Sequence, residues 1–298
     1  MKTTILDALI PTLRIPDWMC IAGVLVFLIA LWAVRTDIVR AHGLDKIVAL
    51  SNLCFAIPLA VFGALHIAGM KLVLPAVPTY MPWRHFWAYF VGVALLLASL
   101  SIATNIKVKC SGLLFGIMMF LFVVMLEFPG ALGRPGDRFG WTIVIREMAF
   151  AAGGWSLAAS AMSWEHKSKL VSLSRVLIAV TAIFFSIEHF LHPLACPGVP
   201  LEKLMPDWIP GRPLIGYLTG AFLLVAGVMI LLNRKSRMAA TYLGAWIVLL
   251  VLFVYIPILF SALSDPGMGV KIEGINYFAD TLLFAGAILT LAKATPSS

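Results

Sequence analysis

Almost the whole chain divides into apolar runs of about 20 residues, separated by short polar or proline-containing loops. A run of that length crosses the hydrocarbon core of a bilayer as a helix. The runs lie near 17–34, 46–70, 84–105, 110–128, 140–163, 172–191, 212–232, 238–262 and 273–293. They do not alternate inside and outside as barrel strands must, and a helix satisfies its own backbone hydrogen bonds in lipid. The expected fold is all-α: a polytopic membrane protein of about nine transmembrane helices. No soluble domain is left over, since 61% of the 298 residues are hydrophobic and only 12% charged, with a mean hydropathy of +0.99. Asp17 stands just before the first run and no small-residue cleavage site follows Val34, so this run is expected to stay as an anchor.

The formal charge of +8 does not point to nucleic acid, because Lys and Arg are spread over the loops instead of forming a patch. Their asymmetry sets an orientation. One face holds about 12 Lys/Arg, among them Lys107, Lys109, Lys167, Lys169, Arg234, Lys235 and Arg237, against about three acids. That face is expected to be cytoplasmic, with the N-terminus outside, the C-terminus inside and the bilayer as the first partner.

The sequence also repeats itself. Residues 78–92, PTYMPWRHFWAYFVG, and 206–220, PDWIPGRPLIGYLTG, share Pro78/Pro206, Pro82/Pro210, Arg84/Arg212, Tyr89/Tyr217 and Gly92/Gly220 at an offset of 128. The register continues without a gap through Asn105/Asn233, Lys107/Lys235, Gly116/Gly244 and Pro129/Pro257. Upstream, FGALH ending at His66 corresponds to FSIEH ending at His189, with about five extra residues in the second loop. Downstream, 140–152 matches 274–286 more loosely. The expected division is an N-terminal anchor helix over 1–44 and two four-helix repeats over 45–168 and 169–298. An even number of helices per unit makes these parallel repeats, related by an axis along the membrane normal.

The P-x-W/Y-x-P-x-R helix entry, the Gly that follows it and a last helix reading INYFADTLLFAGAILTLA resemble the DoxX/DoxD-like family of four-helix membrane proteins, here doubled over about 45–293. The Gly-x-x-Lys that often ends the first family helix is replaced by His66, Gly69 and Lys71. The family includes the membrane subunit of a thiosulfate:quinone oxidoreductase. The resemblance therefore implies a bacterial-type inner membrane, a quinone as bound molecule and a redox partner protein.

Ionisable side chains in a membrane span are costly and are functional candidates by default. In this chain they gather where the first and third helices of each repeat end and the second and fourth begin. The candidates for binding a substrate or quinone are His66, Arg84, His85, Tyr89, Glu147, Glu188, His189, Arg212, Tyr217 and Asp280. His66 and His189 recur at a helix end, where an imidazole can exchange protons or hydrogen-bond a quinone carbonyl; the alternative is a histidine satisfying helix-end carbonyls. Arg84 and Arg212 suit clamping of an anion or snorkelling to lipid phosphate, with Glu147 and Asp280 as candidate partners.

No metal site is expected, since Cys20, Cys54, Cys110 and Cys196 form no C-x-x-C pair. The leading functional expectation is a subunit of a quinone-linked redox system acting at the extracytoplasmic face. The alternatives are a small-molecule transporter and a non-catalytic scaffold for a redox partner.

Overall fold

The computed structural model describes residues 13–296, without the side chains of 164–166. Residues 1–12 of the expected anchor unit and residues 297–298 lie outside the described part. The membrane-length helices are α1 (Ile15–Arg40), α2 (Ser51–Ala68), α3 (Arg84–Ala103), α4 (Val108–Phe122), α5 (Arg138–Ser160), α6 (Trp164–Leu191), α7 (Arg212–Leu231), α8 (Ser236–Leu250) and α9 (Met268–Ala294). A short helix over Asp45–Ala49 leads into α2, and both α4 and α8 run on past their stated ends, to Gly133 and Ser264. Eight of the nine are long and apolar enough to cross a membrane. The exception, α5, has 23 residues, enough to reach about 35 Å; Arg146 and Glu147 lower its apolarity. The molecule is an all-α polytopic membrane protein.

Backbone irregularities recur at the offset of 128. The helices α3 and α4 and their counterparts α7 and α8 have matching bounds. Left-handed residues fall at Trp83 and Gly211, at Asn105 and Asn233, and at Lys107 and Lys235. One π-helical turn follows α4 at Val123–Glu127 and another follows α8 at Val251–Tyr255. Each turn lies just before a proline, Pro129 or Pro257, whose ring and missing N–H disturb the ordinary α ladder over the preceding turn.

Consecutive helices from α2 to α9 are neighbours, α9 closes back onto α2, and α5 crosses α9 in the middle. Thus α5 turns mainly to helices of the other repeat and meets α2, the first helix of its own repeat, through Phe55 at Gly153. It packs on α9 and on α6, while α9 packs on α2. The central helices α2, α5 and α9 are the most enclosed, whereas α1, α3 and α4 leave most of their surface outward for lipid. Helix α1 lies outside the ring, mainly against α2. At the end away from the histidines, Lys293 Nζ donates to Asn52 Oδ1 at 3.0 Å, and Asn52 Nδ2 reaches Ile102 O and Asn105 Oδ1 at 3.5 and 3.4 Å, tying α9, α2 and α3 together.

Candidate functional site

His66 and His189 occupy matching places near the ends of α2 and α6. Each is approached closely by the next helix, because a glycine faces it: a Cβ at Gly92 would lie 2.8 Å from the His66 Cβ, and one at Gly220 would lie 3.2 Å from the His189 Cβ. Each imidazole bonds through Nδ1 to the carbonyl four residues earlier, His66 to Phe62 O at 2.8 Å and His189 to Phe185 O at 2.6 Å. A carbonyl only accepts, so in both residues Nδ1 carries the hydrogen and Nε2 presents a lone pair when the ring is neutral. This is the helix-end satisfaction weighed for the pair, and it occupies one nitrogen of each ring.

The second nitrogens have different fates. His189 is fully buried, and its Nε2 accepts the Gly198 N–H at 3.0 Å. That N–H belongs to the loop after α6, which folds inward so that residues 195–201 are buried. Tyr255 donates its hydroxyl to Pro197 O at 2.6 Å, Arg138 reaches Pro200 O at 3.2 Å and Leu201 O at 3.4 Å, and the Lys203 N–H donates to Tyr277 OH at 3.0 Å. The loop is a plug held from α5, α6, α8 and α9. Its burial pushes the Cys196 thiol up to about 12.

His66, by contrast, borders a lateral cleft between α3 and α4 of about 1210 Å³. The loop over 69–83 is shorter and lies at its mouth through Val73, Ala76, Val77 and Met81. Exposed residues such as Leu97, Leu114 and Leu121 line it, so the cleft opens on the lipid-facing surface. Its walls are mostly apolar, with Ser101, Thr104, Lys107 and Ser111 at the end away from the histidine. Its polar groups at the histidine end are His66, Trp87 and Glu127. The Trp87 Nε1 is buried without a hydrogen-bond partner. Among the described residues, no hydrogen bond or ion pair is made by Glu127 or by His66 Nε2.

Three substitutions between the repeats account for the difference. In the second, Phe222 stacks on Trp246 with ring centroids 4.4 Å apart and planes at 7°, and Trp246 Nε1 donates to Thr219 Oγ1 at 3.2 Å. The counterparts 128 positions earlier are Ala94, Met118 and Val91. The large aromatic pair fills the space between α7 and α8; an alanine and a methionine leave it open between α3 and α4.

The charged candidates are brought together in pairs. At the α5/α9 crossing, Arg146 donates to Asp280 at 2.9 Å and to Glu147 at 2.8 Å, with all three side chains at most 14% exposed. Positions 146 and 280 correspond in the two repeats, so this ion pair joins sequence counterparts. Gly153 meets Ala287 in the same way. Glu147 and Asp280 therefore partner Arg146, not Arg84 or Arg212. Glu188 pairs with Arg138 at 2.6 Å.

Arg84 and Arg212 each bind the loop before them. Arg84 donates to Val77 O at 2.8 Å and Leu74 O at 2.7 Å. Arg212 donates to Met205 O, the counterpart of Val77, at 3.0 Å and also pairs with Asp207. The recurring motif thus fastens a loop to a helix start. His85, Tyr89 and Tyr217 are exposed, with Tyr217 stacked on Phe190. Arg138, Trp87 and the Phe222–Trp246 pair were absent from the sequence-derived candidates. Comparing the repeats position by position for side-chain size shows the last of these; Arg138 and Trp87 acquire their meaning only from neighbours distant in sequence. No protein-family model, curated protein or solved structure matches the chain.

Proposed function

We propose that this chain is a DoxX-like protein of a bacterial-type inner membrane that admits a quinone-class molecule from the bilayer into the cleft between α3 and α4, as the membrane subunit of a redox assembly. The observation that carries this reading is the distribution of polarity in the cleft. It is mostly apolar along its walls and open to lipid, yet at one end it holds a buried indole N–H, an imidazole nitrogen and a carboxyl group that make no hydrogen bond among the described residues, the carboxyl lying in the field of Arg146 and Glu147. Binding sites for amphipathic small molecules have this form, with a few convergent polar groups in an apolar concavity. A buried donor without a partner is otherwise destabilising.

The test is to close the cleft with the protein's own stopper. Ala94→Phe together with Met118→Trp copies the aromatic pair of the second repeat into the first. In lipid nanodiscs the double variant is expected to lose at least about tenfold in affinity for decylubiquinone. Unchanged affinity in a folded variant removes the cleft as the site.

The Arg146–Asp280 pair favours a second reading, transport of a small solute, because Asp280 stands near the middle of the 27-residue α9 and its ion pair joins the two repeats, and transporters built from repeats place their sites near the midplane at the repeat interface. Counterflow of a labelled solute that depends on Arg146 distinguishes it from quinone binding.

A further inference from the structure

The second repeat holds a peptide group at the place of the histidine end of the first repeat's cleft. The C=O of Pro197 and the N–H of Gly198 belong to one amide. On one side that amide donates to His189 Nε2 at 3.0 Å, and on the other it accepts from the Tyr255 hydroxyl at 2.6 Å. The counterparts of His189 and Tyr255 in the first repeat are His66 and Glu127, both lining the cleft. The shorter loop of the first repeat does not bring a peptide between them. The plug is thus an internal stand-in for whatever polar head the first repeat receives.

The His66 ring determines which head that is. Its Nδ1 donates to Phe62 O at 2.8 Å, so the neutral imidazole offers Nε2 only as an acceptor. A quinone carbonyl, also an acceptor, makes no hydrogen bond there. A hydroxyl does, as the Gly198 N–H does to His189. Trp87 adds an unpartnered N–H to the polar end of the cleft; its counterpart, Ile215, has no such donor. Glu127 accepts a second hydroxyl hydrogen when ionised. Being shorter than tyrosine, it also reaches less far towards the histidine.

We propose that the cleft between α3 and α4 selects the reduced, hydroxyl-bearing form of its ligand: a quinol whose O–H is donated to His66 Nε2. This rests on the reading of the cleft as a quinone-class site and adds to it the redox form recognised.

The experiment compares decylubiquinol and decylubiquinone by equilibrium binding to the full chain in phosphatidylcholine nanodiscs, anaerobically, at about pH 8, where an imidazole of ordinary basicity is neutral. The expected result is binding of the quinol about tenfold tighter than the quinone. His66→Ala is expected to erase the preference by weakening quinol binding about tenfold more than quinone binding. Should His66→Ala not fold, His66→Phe makes the same comparison with the volume kept. Equal affinities in the wild-type chain, tighter binding of the quinone, or a preference that survives loss of His66 overturns the inference while leaving the cleft as a quinone-class site. Failure of both probes to bind overturns the cleft reading and the inference together.

Discussion

Arg146 shows how much one side chain can settle in an apolar bundle. It is buried between Glu147 and Asp280, its guanidinium lies 5.8 Å from the centre of the Phe150 ring, and its Nε has no partner. Breaking such a pair from one side leaves an uncompensated charge, whereas replacing both partners by apolar residues often costs little. Arg146→Met, which strands Glu147 and Asp280, is therefore expected to destabilise the protein by about 3–5 kcal/mol, and Arg146→Met combined with Glu147→Gln and Asp280→Leu to recover most of that loss. Thermal unfolding in detergent measures both; a triple variant no better than Arg146→Met contradicts the account. At Cys196, burial rather than location governs chemistry. With the thiol pushed up to about 12 and only 1% of the residue exposed, maleimide at about pH 8 is expected to label Cys110, which is exposed, and to spare Cys196. Tyr255→Phe frees Pro197 O and is expected to speed labelling of Cys196 by loosening the plug, as mass spectrometry of the modified peptide would show. The histidine pair was readable from the repeat, but the occupation of His189 Nε2 was not, because its donor comes from a loop whose inward path no local pattern encodes.

Between elements, the contacts that matter are made by small residues and single polar groups, since lipid tails are as apolar as the side chains they compete with. Helices α4 and α5 meet backbone to backbone. A Cβ at Gly112 would lie 2.6 Å from Gly154 O and 2.8 Å from Ala158 N. Gly112→Val is thus expected to force α4 away from α5 and to lower the unfolding temperature sharply. Gly130→Ala, with nothing within 4 Å of the new atom, is expected to leave it nearly unchanged; equal effects from the two would deny that this close approach matters. The positions of the helices were legible from apolar length alone, and the bounds expected for them differ from those observed by a few residues at most ends. Helix α5 was legible despite its charges because its second half, over 149–160, is uninterrupted by any. The π-helical turns were hidden in the sequence, although Pro129 and Pro257 mark their sites. The cleft was hidden too, since Ala94 and Met118 look like ordinary lipid-span residues until set against Phe222 and Trp246.

At the scale of the whole molecule, the last helices of the two repeats, α5 and α9, form the centre, and each also packs on the first helix of the other repeat. Each half therefore supplies an inner wall to its neighbour. Coexpressed as separate chains, residues 1–163 and 164–298 are expected to co-purify as a one-to-one complex, and neither alone to give a monodisperse species; a half that is stable by itself would show that the interlocking is dispensable. The sequence by itself determined the all-α membrane class, the places of the spans and the register in which the repeats correspond. Each of these depends on composition, length or identity along the chain, which bilayer thickness and backbone hydrogen bonding translate directly into helices. Only the tertiary structure decided that Arg146 meets Asp280, that a loop plugs one repeat while the other keeps a lateral cleft, and that His66 and His189 differ in what reaches their second nitrogen. In a bilayer, apolarity marks a helix as spanning but does not distinguish the face turned to lipid from the face turned to another helix. Neighbours are chosen by the fit of small residues and by the few polar groups that must find partners, and those choices join positions more than a hundred residues apart.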